Sequence, residues 1–155
     1  MLYVPTTDAT SAWVDDGERI PGEGSDVNET DPSKLVVLIA EDYPDIAQLV
    51  GDLLREEGYD VLAVSRGNEV IAAVKLHSPS LILLDLSLPD VPGNEILRQL
   101  DGNPETNQVP IVIVSAYTEQ LRSVPQVRAV VNKPFDLTTL LEAVAEARLN
   151  GQERV

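Results

Sequence analysis

The stretch Leu81-Ile82-Leu83-Leu84-Asp85-Leu86-Ser87-Leu88-Pro89-Asp90-Val91-Pro92-Gly93 decides how this chain folds. Four aliphatic residues end in a carboxylate, and a loop punctuated by Pro and Gly follows. A short apolar run bounded by turn residues reads as a strand buried on both faces. Working outward, the same arrangement recurs. Leu35–Ala40 ends in Glu41-Asp42, Ile111–Val114 ends in Ser115, and Ala129–Val131 ends, after Asn132, in Lys133-Pro134. As parallel strands, these runs bring an acidic pair, a lone carboxylate, a hydroxyl and an ammonium to one end of a sheet. Open α/β sheets bind ligands at the carboxyl ends of their strands. The set suggests phosphate and a divalent metal.

The segments between the runs read as helices. Pro44 suits a helix first turn and Asp45 complements its dipole. Ile46, Leu49, Val50, Leu53 and Leu54 recur at helical spacing, and Gly58 supplies a stop. Val61–Val64 is a further strand. A helix spans Asn68 to His77 and is broken by Ser78-Pro79-Ser80. Asn94–Leu100 is a short helix. Asp136 caps a last helix carrying Leu137, Leu140, Leu141, Val144 and Leu149. This alternation predicts a parallel sheet covered by helices on both faces, with right-handed crossovers.

The chain has 155 residues, with 26 Asp+Glu against 11 Lys+Arg and a net charge of −15. Such a charge disfavours a nucleic-acid or anionic-membrane surface. There is no cysteine, so disulfides, thiolate metal sites and Cys nucleophiles are excluded. The longest apolar runs reach about six residues, far short of the roughly 20 that span a bilayer. No basic start or apolar h-region marks a signal peptide, and the expected location is the cytoplasm. Residues 1–33 carry eight acids and one Arg19, with no sustained periodicity. They read as a disordered acidic tail in which Met1–Val4 and Ala12-Trp13-Val14 are apolar spots. The expected organisation is a tail at 1–33, a domain at 34–150 and a short tail at 151–155.

At the strand ends the residues carry a resemblance. An acidic pair after the first strand, Asp85 after the third, Ser115-Ala116 after the fourth and Lys133-Pro134-Phe135 after the fifth resemble the receiver domain of two-component response regulators. Asp85 with Pro89 and Gly93 resembles that family's Asp-x-x-x-Pro-x-x-x-Gly loop. Glu57-Gly58-Tyr59 and Gly67-Asn68-Glu69 are similar to the family as well. The resemblance covers roughly Lys34 to Leu149. It implies a single doubly wound, five-stranded, flavodoxin-like sheet of order 2-1-3-4-5. It also implies a phosphoryl group accepted on Asp85. Asp42, Asp85 and the Ser87 backbone carbonyl would hold Mg²⁺, with Glu41 acting through a metal-bound water. Lys133 and Ser115 would contact phosphoryl oxygens. Without a cation, three gathered carboxylates should repel and resist full ionisation.

Each fragment has a plainer reading alone. Glu41 to Asp45 can be a helix start, Asp85 a turn cap, and Lys133-Pro134 a surface turn. His77 lacks a second ligand and reads as a structural or solvated histidine. Two departures from the family stand out. Val130 occupies the position, three before the lysine, where an aromatic residue usually swings inward, and Tyr117 sits near Ser115 at a position that modulates dephosphorylation. Only 17 residues separate Ser115 from Lys133, and Pro125 lies among them. The fourth helix is therefore expected to be shortened.

No output module is visible after the last helix. The expectation is a stand-alone receiver that is not a metabolic enzyme. It would be phosphorylated by a histidine kinase or phosphotransfer protein and would act on an output protein by contact. The alternative is a receiver-shaped scaffold that binds its partner independently of phosphorylation. An aspartate-based phosphatase ranks below both, because Ser87 stands where such enzymes place a second acid.

Overall fold

The computed structural model describes residues 35–116, 121 and 124–153. The elements run Val36–Ala40 (β1), Pro44–Glu56 (α1), Asp60–Val64 (β2), Val70–His77 (α2), Leu81–Leu84 (β3), Gly93–Asp101 (α3), Ile111–Ser115 (β4), Val127–Asn132 (β5) and Leu137–Glu153 (α4). A 3₁₀ turn at Gly67–Glu69 leads into α2. The five strands form one all-parallel sheet, as the alternation predicts, and its order β2-β1-β3-β4-β5 is the one the resemblance implies. The expected tail at 1–33 lies outside the described residues. So do positions 117–120 and 122–123, within the connection where a shortened fourth helix was expected; among the described residues no helix stands between β4 and β5. The last helix continues to Glu153, past position 150 where the sequence places the end of the domain.

Two apolar layers hold the sheet. Val37 and Ile39 of β1 face Val50 and Leu54 of α1 together with Leu140, Val144 and Ala147 of α4. Leu38 and Ala40 face Val70 and Val74 of α2 together with Ile96, Leu97 and Leu100 of α3. Alternate side chains of a strand point to opposite faces, so a strand covered on both faces must be apolar throughout. β3 meets this condition at all four positions, each buried. Burying a Leu or Ile side chain contributes about 1.5–3 kcal/mol, so β3 anchors its loop firmly.

The element ends follow local chemistry. Pro44 occupies the first turn of α1, where its missing N–H costs nothing. Gly58 takes φ +98°, beyond the helix end, where a side chain would be strained. Asp136 Oδ1 accepts the Thr139 N–H at 2.7 Å and caps α4. β5 begins at Val127, two residues before the expected start at Ala129. Its register against β4 jumps from Ile111↔Val127 to Val112↔Ala129, so Arg128 is an extra residue in the ladder. That bulge interrupts the period of two and hides the strand start.

Candidate functional site

The ladder register sets the site. Ala40 pairs with Leu84, which brings Glu41 and Asp85 level on neighbouring strands. The Asp85 N–H donates to Ala40 O at 3.1 Å, and the Glu41 N–H donates to Val64 O at 3.0 Å. On the other side Ser115 pairs with Asn132, and the Lys133 N–H donates to Ser115 O at 3.1 Å. Backbone hydrogen bonds thus fix where each functional residue leaves its strand. The Lys133-Pro134 peptide is cis.

The side chains then converge. Lys133 Nζ donates to Glu41 Oε1 at 2.8 Å and to Asp85 Oδ2 at 2.9 Å. Asp85 Oδ1 accepts from the Ser87 N–H at 3.0 Å and from the Ser87 hydroxyl at 2.9 Å. Glu41 Oε2 accepts the Tyr43 N–H at 3.2 Å. Carboxylate oxygens of Glu41, Asp42 and Asp85 all lie within 4.8 Å of one another. Asp85 is only 2% exposed. Ser115 is fully buried at the carboxyl end of β4. Phe135, Leu140, Val114 and Ile46 help enclose a small apolar hollow beneath Glu41 and Asp85.

The two buried carboxylates differ electrostatically. Burial pushes Glu41 above the usual carboxylate range, and the Lys133 and Tyr43 donors only partly offset it. Burial also pulls Asp85 upward. There the Ser87 N–H, the Lys133 ammonium and the Ser87 hydroxyl outweigh it, and Asp85 is held below its ordinary value. Burial would depress Lys133, but hydrogen bonds to Glu41 and Asp85 raise it instead. The expected resistance to full ionisation thus falls on Glu41, whereas the Ser87 donors and the ammonium hold Asp85 below its ordinary value. Charge-assisted hydrogen bonds of this kind favour the ionised form.

Of the residues singled out from sequence, Glu41, Asp42, Asp85, Ser87 and Lys133 meet in one cluster, with Ser115 at the adjoining strand end. Val130 lies on β5 and is 42% exposed. Tyr117 lies outside the described residues. His77 is on the surface at the end of α2, away from this cluster.

Two features escaped the sequence. Asp90, read only as part of a loop, accepts the Gly67 N–H at 2.6 Å and the Asn68 N–H at 2.9 Å. Gln126 is buried and donates through Nε2 to Thr106 O at 3.0 Å and Val109 O at 2.8 Å. Both join segments distant in the chain, and no local pattern announces such a pairing.

The charge balance tests whether a metal fits. Three carboxylates against one ammonium leave a formal charge of −2 in a mostly buried cluster. Hard oxygen donors at a strand-end cleft suit a hard dication such as Mg²⁺.

Comparison with known proteins agrees with this geometry. Residues 37–145 match the response regulator receiver domain. Protein Rrf1 of Nitratidesulfovibrio vulgaris is 32% identical over 111 residues, covering 72% of this chain and 80% of that protein. The polar-differentiation response regulator DivK of Brucella anthropi is 29% identical over 113 residues, covering 70% of this chain and 91% of DivK. A sensor protein from Polaromonas sp. JS666 superposes with a TM-score of 0.70 at 30% identity, over 76% of this chain and 98% of that one. With the strand order, the strand-end cluster and a match spanning most of the chain in agreement, this chain belongs to the response regulator receiver domain family.

Proposed function

We propose that this protein accepts a phosphoryl group on Asp85 from a histidine kinase or histidine phosphotransfer protein, and signals by protein–protein contact. The observation that carries this reading is the state of Asp85. It is buried, held anionic, and fixed through both oxygens by Ser87 and Lys133. A carboxylate oxygen attacks phosphorus while the bond from phosphorus to the donor's imidazole nitrogen breaks. The product is an acyl phosphate, and the imidazole leaves and takes up a proton. Most of the catalysis is positioning plus charge compensation.

Asp42, Asp85 and the Ser87 carbonyl would hold Mg²⁺, and Glu41 would reach it through water. The ion would supply the positive charge that lets one anion approach another. Lys133 would exchange Asp85 Oδ2 for a phosphoryl oxygen, and the Ser115 hydroxyl would donate to another. The protein would catalyse only its own phosphorylation and dephosphorylation. An acid suited to phosphatase chemistry is missing two residues after Asp85, where the Ser87 hydroxyl donates to the carboxylate itself.

The test is incubation with Mg²⁺ and a small phosphodonor, followed by intact mass. One phosphoryl group is expected on the native chain and none on Asp85→Asn. Labelling retained in that variant would move the acceptor elsewhere.

One observation favours the second reading, a scaffold that binds independently of phosphorylation. Val130 takes the place of the aromatic residue and offers no ring to turn inward. A ligand with equal affinity for two states shifts neither. Phosphorylation that alters amide resonances along β5 around Val130 would sink the scaffold reading; resonances unchanged beyond the acceptor loop would support it.

A further inference from the structure

Resting on the reading of Asp85 as phosphoacceptor beside Mg²⁺, we propose that Asp90 is a positioning residue for that site. Its carboxylate clips the acceptor loop to the neighbouring β2–α2 loop and so holds Ser87 in its metal-binding arrangement. Both Asp90 oxygens are engaged, one by the Gly67 N–H at 2.6 Å and one by the Asn68 N–H at 2.9 Å. The two loops touch so closely that a Cβ at position 67 would stand 2.8 Å from Val91 Cβ. Gly67 is therefore required for the contact, and the clip closes over it. The β2–α2 loop is itself braced, because Glu69 Oε1 accepts the Ser65 and Arg66 N–H groups at 3.3 and 3.2 Å.

The acceptor loop is pinned at three other places. Asp85 ends the buried strand β3, Leu88 packs into the core and is 5% exposed, and Gly93 lies against Leu86. Ser87 lies exposed between Asp85 and Leu88. Its N–H and hydroxyl hold Asp85, and its carbonyl is the proposed third metal ligand. Between Leu88 and Gly93, Val91 packs beside Gly67 and the Asp90 carboxylate hydrogen-bonds the Gly67 and Asn68 amides, so the clip sets how that span sits. Groups that orient a ligand without touching the metal commonly govern affinity.

Mg²⁺ titration by calorimetry on the full chain tests this. The native chain should bind. Asp90→Ala should weaken binding by about tenfold. Asp90→Asn, which keeps one acceptor oxygen and the same shape, should fall between the two. All titrations are run where circular dichroism shows each variant folded. Linkage adds a reciprocal readout, since a clip that favours metal must be favoured by it by the same factor. Saturating Mg²⁺ should thus slow hydrogen exchange at the Gly67 and Asn68 amides of the native chain. A native chain that ignores Mg²⁺ would overturn the functional reading itself. Native binding with an unchanged Kd in Asp90→Ala, and no Mg²⁺ effect on those amides, would leave that reading standing and overturn the clip.

Discussion

Replacing Lys133 by Ala tests the electrostatic logic of the site most directly. The ammonium sits 2.8 Å from Glu41 and 2.9 Å from Asp85, whose side chains are 5% and 2% exposed. At an effective dielectric of about 20, each attraction is worth about 6 kcal/mol before desolvation. Carboxylate oxygens within 4.8 Å of each other repel by about 3 kcal/mol or more on the same scale. The substitution removes both attractions and leaves the repulsion. Removing one partner of a buried ion pair typically costs about 3–5 kcal/mol. Glu41, already pushed up by burial, would relieve part of this by taking a proton. The expected loss in metal-free urea denaturation at neutral pH is therefore about 3 kcal/mol, with the slope unchanged. Mg²⁺ should then stabilise Lys133→Ala more than the native chain, because it would replace the missing positive charge. A metal-free loss below about 1 kcal/mol, or equal stabilisation of both proteins by Mg²⁺, would refute the reasoning.

Three further outcomes follow from the packing. Gln126→Ala should lower the urea midpoint by the equivalent of about 2 kcal/mol, because the Thr106 and Val109 carbonyls lose their buried donor. Gly93→Ala should destabilise by about 3 kcal/mol, since its Cβ would stand 2.6 Å from Leu86 Cβ and 2.7 Å from Leu86 Cα; an unchanged midpoint would show that the acceptor loop yields. The Thr139 N–H, foremost among its donors, holds Asp136 below its ordinary carboxylate value. A depressed carboxylate contributes stability that is complete above the unfolded value and lost as pH falls through the folded one. Asp136→Asn keeps an acceptor but cannot titrate, so its urea midpoint should change less than the native one below pH 3.8.

How much was legible in the sequence depended on whether the signal was local. β3 and β4 are buried on both faces, so they must be continuously apolar, and Leu81–Leu84 and Ile111–Val114 announced themselves. The start of β5 was missed because the Arg128 bulge breaks the alternation. Asp85 was legible because a carboxylate ending an all-apolar run has little structural excuse. Asp90 was not, because a carboxylate in a Pro-flanked turn is ordinary and its partners lie 22 and 23 residues away. The electrostatics were half legible: crowding of acids could be read, but not the geometry that lets Ser87 and Lys133 keep Asp85 ionised.

By itself, the sequence determined that alternating runs build a parallel sheet, and with it the residues that end each strand at one edge; the order of the strands came from the resemblance to receiver domains. Those follow from periodicity and chain connectivity, which are properties of neighbours in sequence. Only the tertiary structure decided which oxygen faces which donor, and therefore that Asp85 is held below its ordinary carboxylate value while Glu41 is pushed above it. It alone decided that one acid beyond the acceptor grips the neighbouring loop. Hydrogen bonds are made at about 3 Å in space, and separation along the chain does not report that distance.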